Sequence, residues 1–178
     1  ITNKYDAERI LAIHFGAPGF RIISISQRLY KDEIIDPGEP ILMDKDMKFA
    51  HLGDCHLGSW RQPELKSLNM LHFQEATARA LAEKVDFMLI AGDLFDSAYP
   101  SIETLKEAFE EFKKIKESNT PVFLIAGSHD FSVSGKTFLD VLEKAGFCKN
   151  VFKAEEKYGK IILQPTVYKG AAIYGFPG

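Results

Sequence analysis

The sequence predicts an α/β fold whose sheet contains a parallel region. The runs Asp86-Phe87-Met88-Leu89-Ile90-Ala91 and Val122-Phe123-Leu124-Ile125-Ala126 are almost continuously apolar. That is the pattern of strands covered on both faces. Segments with a single apolar stripe at helical spacing separate such runs, so β–loop–α units follow one another three times.

Taken in order, the chain opens on Ile1, whereas Met47 begins a segment that reads like a natural start. A boundary is therefore placed near residue 46. Residues 1–46 form an appended segment of unknown role, and residues 47–178 form the second unit. The appended segment holds one strand candidate, Phe20 to Ser26, before the turn-rich Asp36-Pro37-Gly38-Glu39-Pro40 breaks the pattern. An extra β element, a fusion and a displaced piece of the gene all remain open as its origin.

Residues 47–53 predict a short strand ending in a loop. Residues 66–83 predict a helix with Leu71, Ala78 and Ala82 on one face. The strand at 86–91 is followed by a helix over about 101–117, with Leu105, Ala108, Phe109, Phe112 and Ile115 at helical spacing and Ser101 as N-cap. Its Lys113, Lys114 and Lys116 read as a solvated face. Pro121 introduces the strand at 122–126. A third helix carries Phe138, Val141, Leu142 and Ala145 on one stripe and stops at Gly146. Short strand-like runs follow near 151–153, 160–164 and 171–175.

Composition narrows the class. The chain has 178 residues, 46% hydrophobic and 26% charged, which suits one domain or one domain with an appendage. No apolar run approaches the ~18 residues that a membrane span needs, and no signal-peptide pattern is present. A soluble, cytoplasmic protein is expected. Cys55 and Cys148 make neither a close metal-type pair nor a disulfide framework. The net charge of -3 gives no basic footprint, so any nucleic-acid ligand would be held by a local patch and by metal ions.

Each of the three apolar strands runs at once into polar, ligand-type residues: Asp54-Cys55-His56, then Gly92-Asp93-Leu94-Phe95-Asp96, then Gly127-Ser128-His129-Asp130. In open α/β sheets ligands bind beyond the carboxyl ends of the strands, so the three loops are expected to converge. Carboxylates and imidazoles suit manganese, iron or zinc without thiolates. Asp54 and His56, two residues apart, would share one side of an extended chain and grip one ion. Asp93 would bridge it to a second. Two ions about 3.5–4 Å apart can bind a phosphate and activate a water. His129 would donate a proton or hydrogen bond to the phosphate or its leaving oxygen. Gly92 and Gly127 would let the backbone turn sharply near the ions.

The order Asp-x-His, Gly-Asp, Gly-x-His-Asp resembles the calcineurin-like metallophosphoesterase superfamily. The finer likeness is to its DNA double-strand-break repair branch, the SbcD-type or "meiotic recombination eleven" nucleases. His51-Leu52-Gly53-Asp54-Cys55-His56-Leu57-Gly58, with Arg61-Gln62 after it, resembles that branch's first motif, and Ala91-Gly92-Asp93-Leu94-Phe95-Asp96 resembles its second. The run from Pro121 to Asp130 resembles the third, which is common to the superfamily. The likeness covers residues 47–178. It implies a layered fold with β-α-β units and a central mixed sheet, incomplete in this chain. It also implies Asp54 and His56 on a first metal, Asp93 on both, Ser128 on the second and His129 as catalytic histidine. Two manganese ions, DNA as substrate, a coiled-coil ATPase partner of the SbcC type and a homodimer are implied with it.

Two departures stand out. Ser128 occupies the place where the family usually has an asparagine, and a hydroxyl is a poorer neutral ligand than an amide oxygen. The family's later histidines, including a Gly-His-x-His motif, have no counterpart after His129. The chain is therefore read as an N-terminal part, expected by itself to hold one ion loosely and to cut nothing.

Among the remaining residues, Trp60 and Arg61 follow the first motif. Arg61 is a candidate phosphate contact and Trp60 a candidate base-stacking residue, with packing as the equal alternative for Trp60. Asp96 and Asp130 read as groups that orient metal ligands or His129. His51 and Cys55 are expected to be structural, His72 ordinary, and His14 of unknown role. The leading expectation is a metal-dependent DNA exonuclease and endonuclease. Its rivals are an inactive relative serving as a DNA- or ATPase-binding scaffold, and a phosphatase of nucleotides or phosphoproteins.

Overall fold

The computed structural model of the chain describes residues 21–25, 47–132, 135–157 and 160–176. The turn-rich stretch at 36–40 and His14 lie outside them. A five-stranded sheet has the order β1 (Arg21–Ile25), β2 (Met47–Leu52), β3 (Phe87–Ala91), β4 (Val122–Ile125), β5 (Lys149–Asn150). Strands β2 to β5 are parallel, and β1 is an antiparallel edge that pairs Ile23 with Phe49. The sheet is thus mixed, with the predicted parallel region at its centre.

Alternation along these strands explains their unbroken hydrophobicity. Met88, Ile90, Val122 and Leu124 face one core, whereas Phe49, Phe87 and Phe123 face another. The first core is closed by α1 (Pro63–Ala82), α2 (Ile102–Glu117) and α3 (Phe138–Lys144), which contribute Phe73, Phe112 and Leu142 among others. Behind the second lies the hairpin of β8 (Thr166–Tyr168) and β9 (Ala171–Ile173). Its Tyr168 ring meets Phe87 at 6.0 Å and Phe123 at 5.6 Å between centroids. Strands β6 (Ala154–Lys157) and β7 (Lys160–Leu163) make a separate hairpin.

Several elements differ from expectation in instructive ways. In α1 the inner face is Met70, Phe73, Ala76, Thr77 and Ala80, while Leu71, Ala78 and Ala82 point to solvent. The helix is apolar on more than one side, since Leu65, Leu68 and Leu71 are all exposed, so hydropathy alone picks the wrong stripe. Thr77 goes inward because the buried Glu111 carboxylate accepts its hydroxyl at 2.5 Å. Lys114 in turn approaches Glu111 at 2.8 Å.

In α3 it is Leu139 and Leu142 that are buried, and Val141 and Ala145 are exposed. Helix α2 follows its predicted stripe, with Ala108, Phe112 and Ile115 fully buried and Ser101 accepting the Thr104 amide at 3.2 Å. The lysines of α2 are exposed, but Lys116 also reaches across to the Ala145 carbonyl at 3.2 Å. The run expected near 151–153 falls between β5 and β6, where only Phe152 makes a bridge, to Gly175. Strand β6 carries no apolar alternation, because all four of its residues are exposed.

Candidate metal centre

Strands β2, β3 and β4 lie side by side and parallel, so the three loops at their carboxyl ends leave the sheet together. The first loop is laced to the second by backbone hydrogen bonds. Asp54 N–H donates to Gly92 O at 3.3 Å, His56 N–H to Asp93 O at 2.8 Å, and Leu57 N–H to Leu94 O at 2.9 Å. Asp54 and His56 are not on an extended chain, contrary to the sequence argument. Both take the left-handed conformation, with φ of 52° and 46°. Their side chains converge because the loop coils against its neighbour, not because a strand alternates. Asp93 is left-handed as well, at φ 49°.

L-residues other than glycine, asparagine and aspartate seldom enter this region, and it costs on the order of 1–2 kcal/mol. Tertiary contacts hold it here. Gly92 is also left-handed (φ 82°) and packs against Gly127, whose Cα lies 3.1 Å from where a Gly92 side chain would begin. A side chain on Gly127 itself would run into the carboxylate and amide of Asp93. The glycines therefore let two loops, rather than backbone and ion, approach closely.

Asp130 fastens the second and third loops. It is 2% exposed, and its carboxylate accepts from the amides of Leu94 at 3.1 Å, Phe95 at 2.9 Å and Gly127 at 3.1 Å. Burial raises this carboxyl above its ordinary value, and the three amide donors pull the other way. Asp130 thus positions the backbone next to Asp93 and Ser128, and its charge also acts on the His129 ring.

Asp96 links the two histidines. Its Oδ1 stands 3.2 Å from His56 Nδ1 and 3.8 Å from His129 Nδ1, and its carbonyl accepts from His129 Nδ1 at 2.9 Å. A carbonyl or carboxylate oxygen can only accept, so each Nδ1 carries the proton. Each Nε2 is left as the nitrogen able to accept or to bind a cation. The imidazoles meet edge to face, 4.7 Å apart. His129 N–H also donates to Asp93 Oδ1 at 2.8 Å. The His129 ring is held above its ordinary pKa, chiefly by the bond to the Asp96 carbonyl and then by the charges of Asp93, Asp96 and Asp130.

Two overlapping groups offer ligand atoms within 4.8 Å of one another: Asp54, His56 and Asp93, and His56, Asp96 and His129. His56 Nε2 and Asp93 Oδ2 stand 3.8 Å apart. That is too long for a hydrogen bond and short enough for both to reach one cation at the usual ~2.0–2.2 Å. The donor set is oxygen and imidazole, suited to a divalent first-row ion. A hollow of about 270 Å³ opens here, lined by Asp54, Asp93, Gly127 and Ser128, with Phe176 at its edge. A larger hollow of about 550 Å³ lies between α1 and α2, but it gathers no such convergent ligands. The chemistry therefore points to the smaller one.

Trp60 and Arg61 sit on the exposed loop before α1 and do not line this hollow. Cys55 packs against the helix-side core, with its thiol pushed up to about 12 by burial first and then by Asp130 and Asp54. His72 is exposed on α1. Phe176 had no signal in the sequence, because it follows β9 at a distance of more than forty residues from the last motif.

A family model described as calcineurin-like phosphoesterase matches residues 47–170. The chain is similar to the DNA double-strand break repair protein Mre11 of Archaeoglobus fulgidus, 37% identical over 102 residues, covering 56% of this chain and 23% of that protein. Against the Mre11 protein of Methanosarcina mazei it is 32% identical over 124 residues, covering 68% and 20%. For that of Methanococcus maripaludis the figures are 38% over 98 residues, 52% and 26%. The chain thus spans about a fifth to a quarter of the length of the curated relatives it matches. No helix among the described residues is long and apolar enough to cross a membrane.

Proposed function

This chain belongs to the calcineurin-like phosphoesterase family, and from that premise we propose that it is the metal-binding front of a DNA end-processing nuclease, hydrolysing phosphodiester bonds with a pair of manganese ions. The observation that carries the reading is the convergence of Asp54, His56 and Asp93 at the ends of adjacent parallel strands, with His129 beside them. Similarity to the archaeal double-strand break repair proteins supports DNA as substrate.

In this reading Asp54, His56 and Asp93 would hold a first ion, and Asp93 and Ser128, which line the same hollow, would be the residues left to hold a second. When bound, such ions supply Lewis acidity to the phosphate and a water acidified enough to attack it. The chain's own residues supply orientation. Asp96 fixes the tautomer and tilt of both imidazoles. The Asp93 carboxylate accepts the His129 amide and so sets that loop's approach. With Nδ1–H committed to the Asp96 carbonyl, His129 gives a proton or hydrogen bond from Nε2 to the departing oxygen as the imidazolium, and only an unprotonated Nε2 accepts one. Arg61 and Trp60, exposed on the preceding loop, meet the strand outside the hollow. A cytoplasmic homodimer with a coiled-coil ATPase of the SbcC type completes the proposal.

The test is manganese-dependent degradation of linear DNA by the full-length protein. Asp93→Ala is expected to lower cleavage at least a hundredfold, because it removes a shared ligand and the acceptor of the His129 amide. Cleavage that persists at the same rate in Asp93→Ala, or no cleavage in the unaltered protein, sinks the proposal.

A further inference from the structure

Resting on that nuclease reading, we propose that Phe176, braced by Phe152, is a stacking platform for the base next to the phosphate held in the hollow. The substrate class follows from it: an unpaired nucleotide of a DNA strand. Phe176 lines the same hollow as Asp54, Asp93 and Ser128. Within residues 1–178 its ring is 63% exposed. Phe152 meets it at 6.5 Å between centroids with an interplanar angle of 87°. That perpendicular contact steadies the ring without a second ring stacking on it.

The position is fixed by backbone. Phe152 and Gly175 form a parallel bridge. Gly175 packs so closely that any side chain there would strike Ile125 and Val151. Ile125 ends β4, directly before the Gly127-Ser128-His129 loop. An aromatic face is thus anchored to the strand whose loop carries the candidate phosphate site. Bases stack on such faces irrespective of sequence, and a base still paired within a duplex cannot reach one. Phe176 therefore selects for an end that is single-stranded or frayed.

The test uses the full-length protein and nuclease-resistant phosphorothioate single strands labelled for fluorescence anisotropy, without manganese. One strand carries bases throughout and the other has abasic sites at its terminal nucleotides. The unaltered protein is expected to favour the base-bearing strand by about fivefold to a hundredfold, the span of one base–aromatic contact. Phe176→Ala and Phe176→Leu should erase that preference, and Phe176→Trp should keep it. Leucine retains apolar packing but has no π face, so a preference that survives in Phe176→Leu assigns the ring a packing role and overturns the platform. Equal binding of both strands by the unaltered protein, or binding of neither, overturns it too. Manganese-dependent cleavage of ordinary strands is scored apart from this ratio. Cleavage without discrimination removes only the platform, and discrimination without cleavage removes only the nuclease reading.

Discussion

Among the places where the chain enters the left-handed backbone region, the helix ends and the strand ends beside the candidate metal centre are held there differently. At the helix ends, Lys84, Asn119 and Gly146 have φ of 52°, 58° and 71°. Each sits just past a helix and closes it in the same way. Lys84 N–H bonds Leu81 O and Val85 N–H bonds Ala80 O. Asn119 and Thr120 do the same to Lys116 and Ile115, and Gly146 and Phe147 to Glu143 and Leu142. This is the Schellman arrangement, in which local bonds satisfy the last carbonyls and define the turn. At the strand ends Asp54, His56 and Asp93 adopt the same conformation with no helix to close. There the geometry comes from other loops, through the Asp130 carboxylate and the Gly92–Gly127 contact. A left-handed residue that terminates a helix serves stability. One that is maintained only from outside, at a residue able to bind a cation, marks a place where fold stability is spent on geometry.

The sharpest way to break this contrast is to remove the outside support. Asp130→Ala leaves three buried amides, those of Leu94, Phe95 and Gly127, without an acceptor. A loss of roughly 3–5 kcal/mol in urea unfolding is expected, as when one partner of a buried charged network is deleted. Hydrogen exchange at Phe95 and Gly127 should accelerate, while the helix-end amides of Val85 and Thr120 keep their protection. Equal loosening at both kinds of site would show that the distinction is false. A smaller effect probes the helix ends. Gly146→Ala forces a Cβ into the left-handed region, where it would meet only the flexible end of Lys116 at 3.2 Å. The expected cost is about 1 kcal/mol, nearly all conformational.

The same contrast explains what could be read from the sequence. Strands β3 and β4 were legible because both of their faces are buried, so Phe87, Leu89 and Phe123 add to Met88, Ile90 and Leu124 in one apolar run. The Schellman stop at Gly146 was legible because glycine announces its backbone state. Lys84 does not, and neither does His56. The residue types of the candidate metal centre were visible in the sequence, but the reason they meet was not, since it lies in hydrogen bonds between loops about forty residues apart. Inward Thr77 illustrates the same limit in the helices. Its partner Glu111 is on another helix, and no periodicity within α1 could reveal it. The exposed β6 strand offered no alternation at all.

The finest test compares the two non-glycine helix stops. Lys84 has a side chain that gains nothing from the left-handed state, whereas Asn119 belongs to a type that tolerates it. Glycine at either position keeps the carbonyl-capping bonds, because those use only backbone. Lys84→Gly relieves the Cβ strain and gives back part of that gain as added freedom of the unfolded chain. A net stabilisation of about 0.5–1 kcal/mol is expected, seen as a higher urea midpoint with unchanged slope. Asn119→Gly should gain less, about half as much or nothing, since asparagine has less strain to lose. Lys84 makes this comparison clean: its pair of capping bonds, 2.9 and 3.3 Å, matches the 3.0 and 3.4 Å of Asn119 closely. A larger gain at Asn119 than at Lys84 would mean that side-chain contacts, and not backbone conformation, govern these two turns.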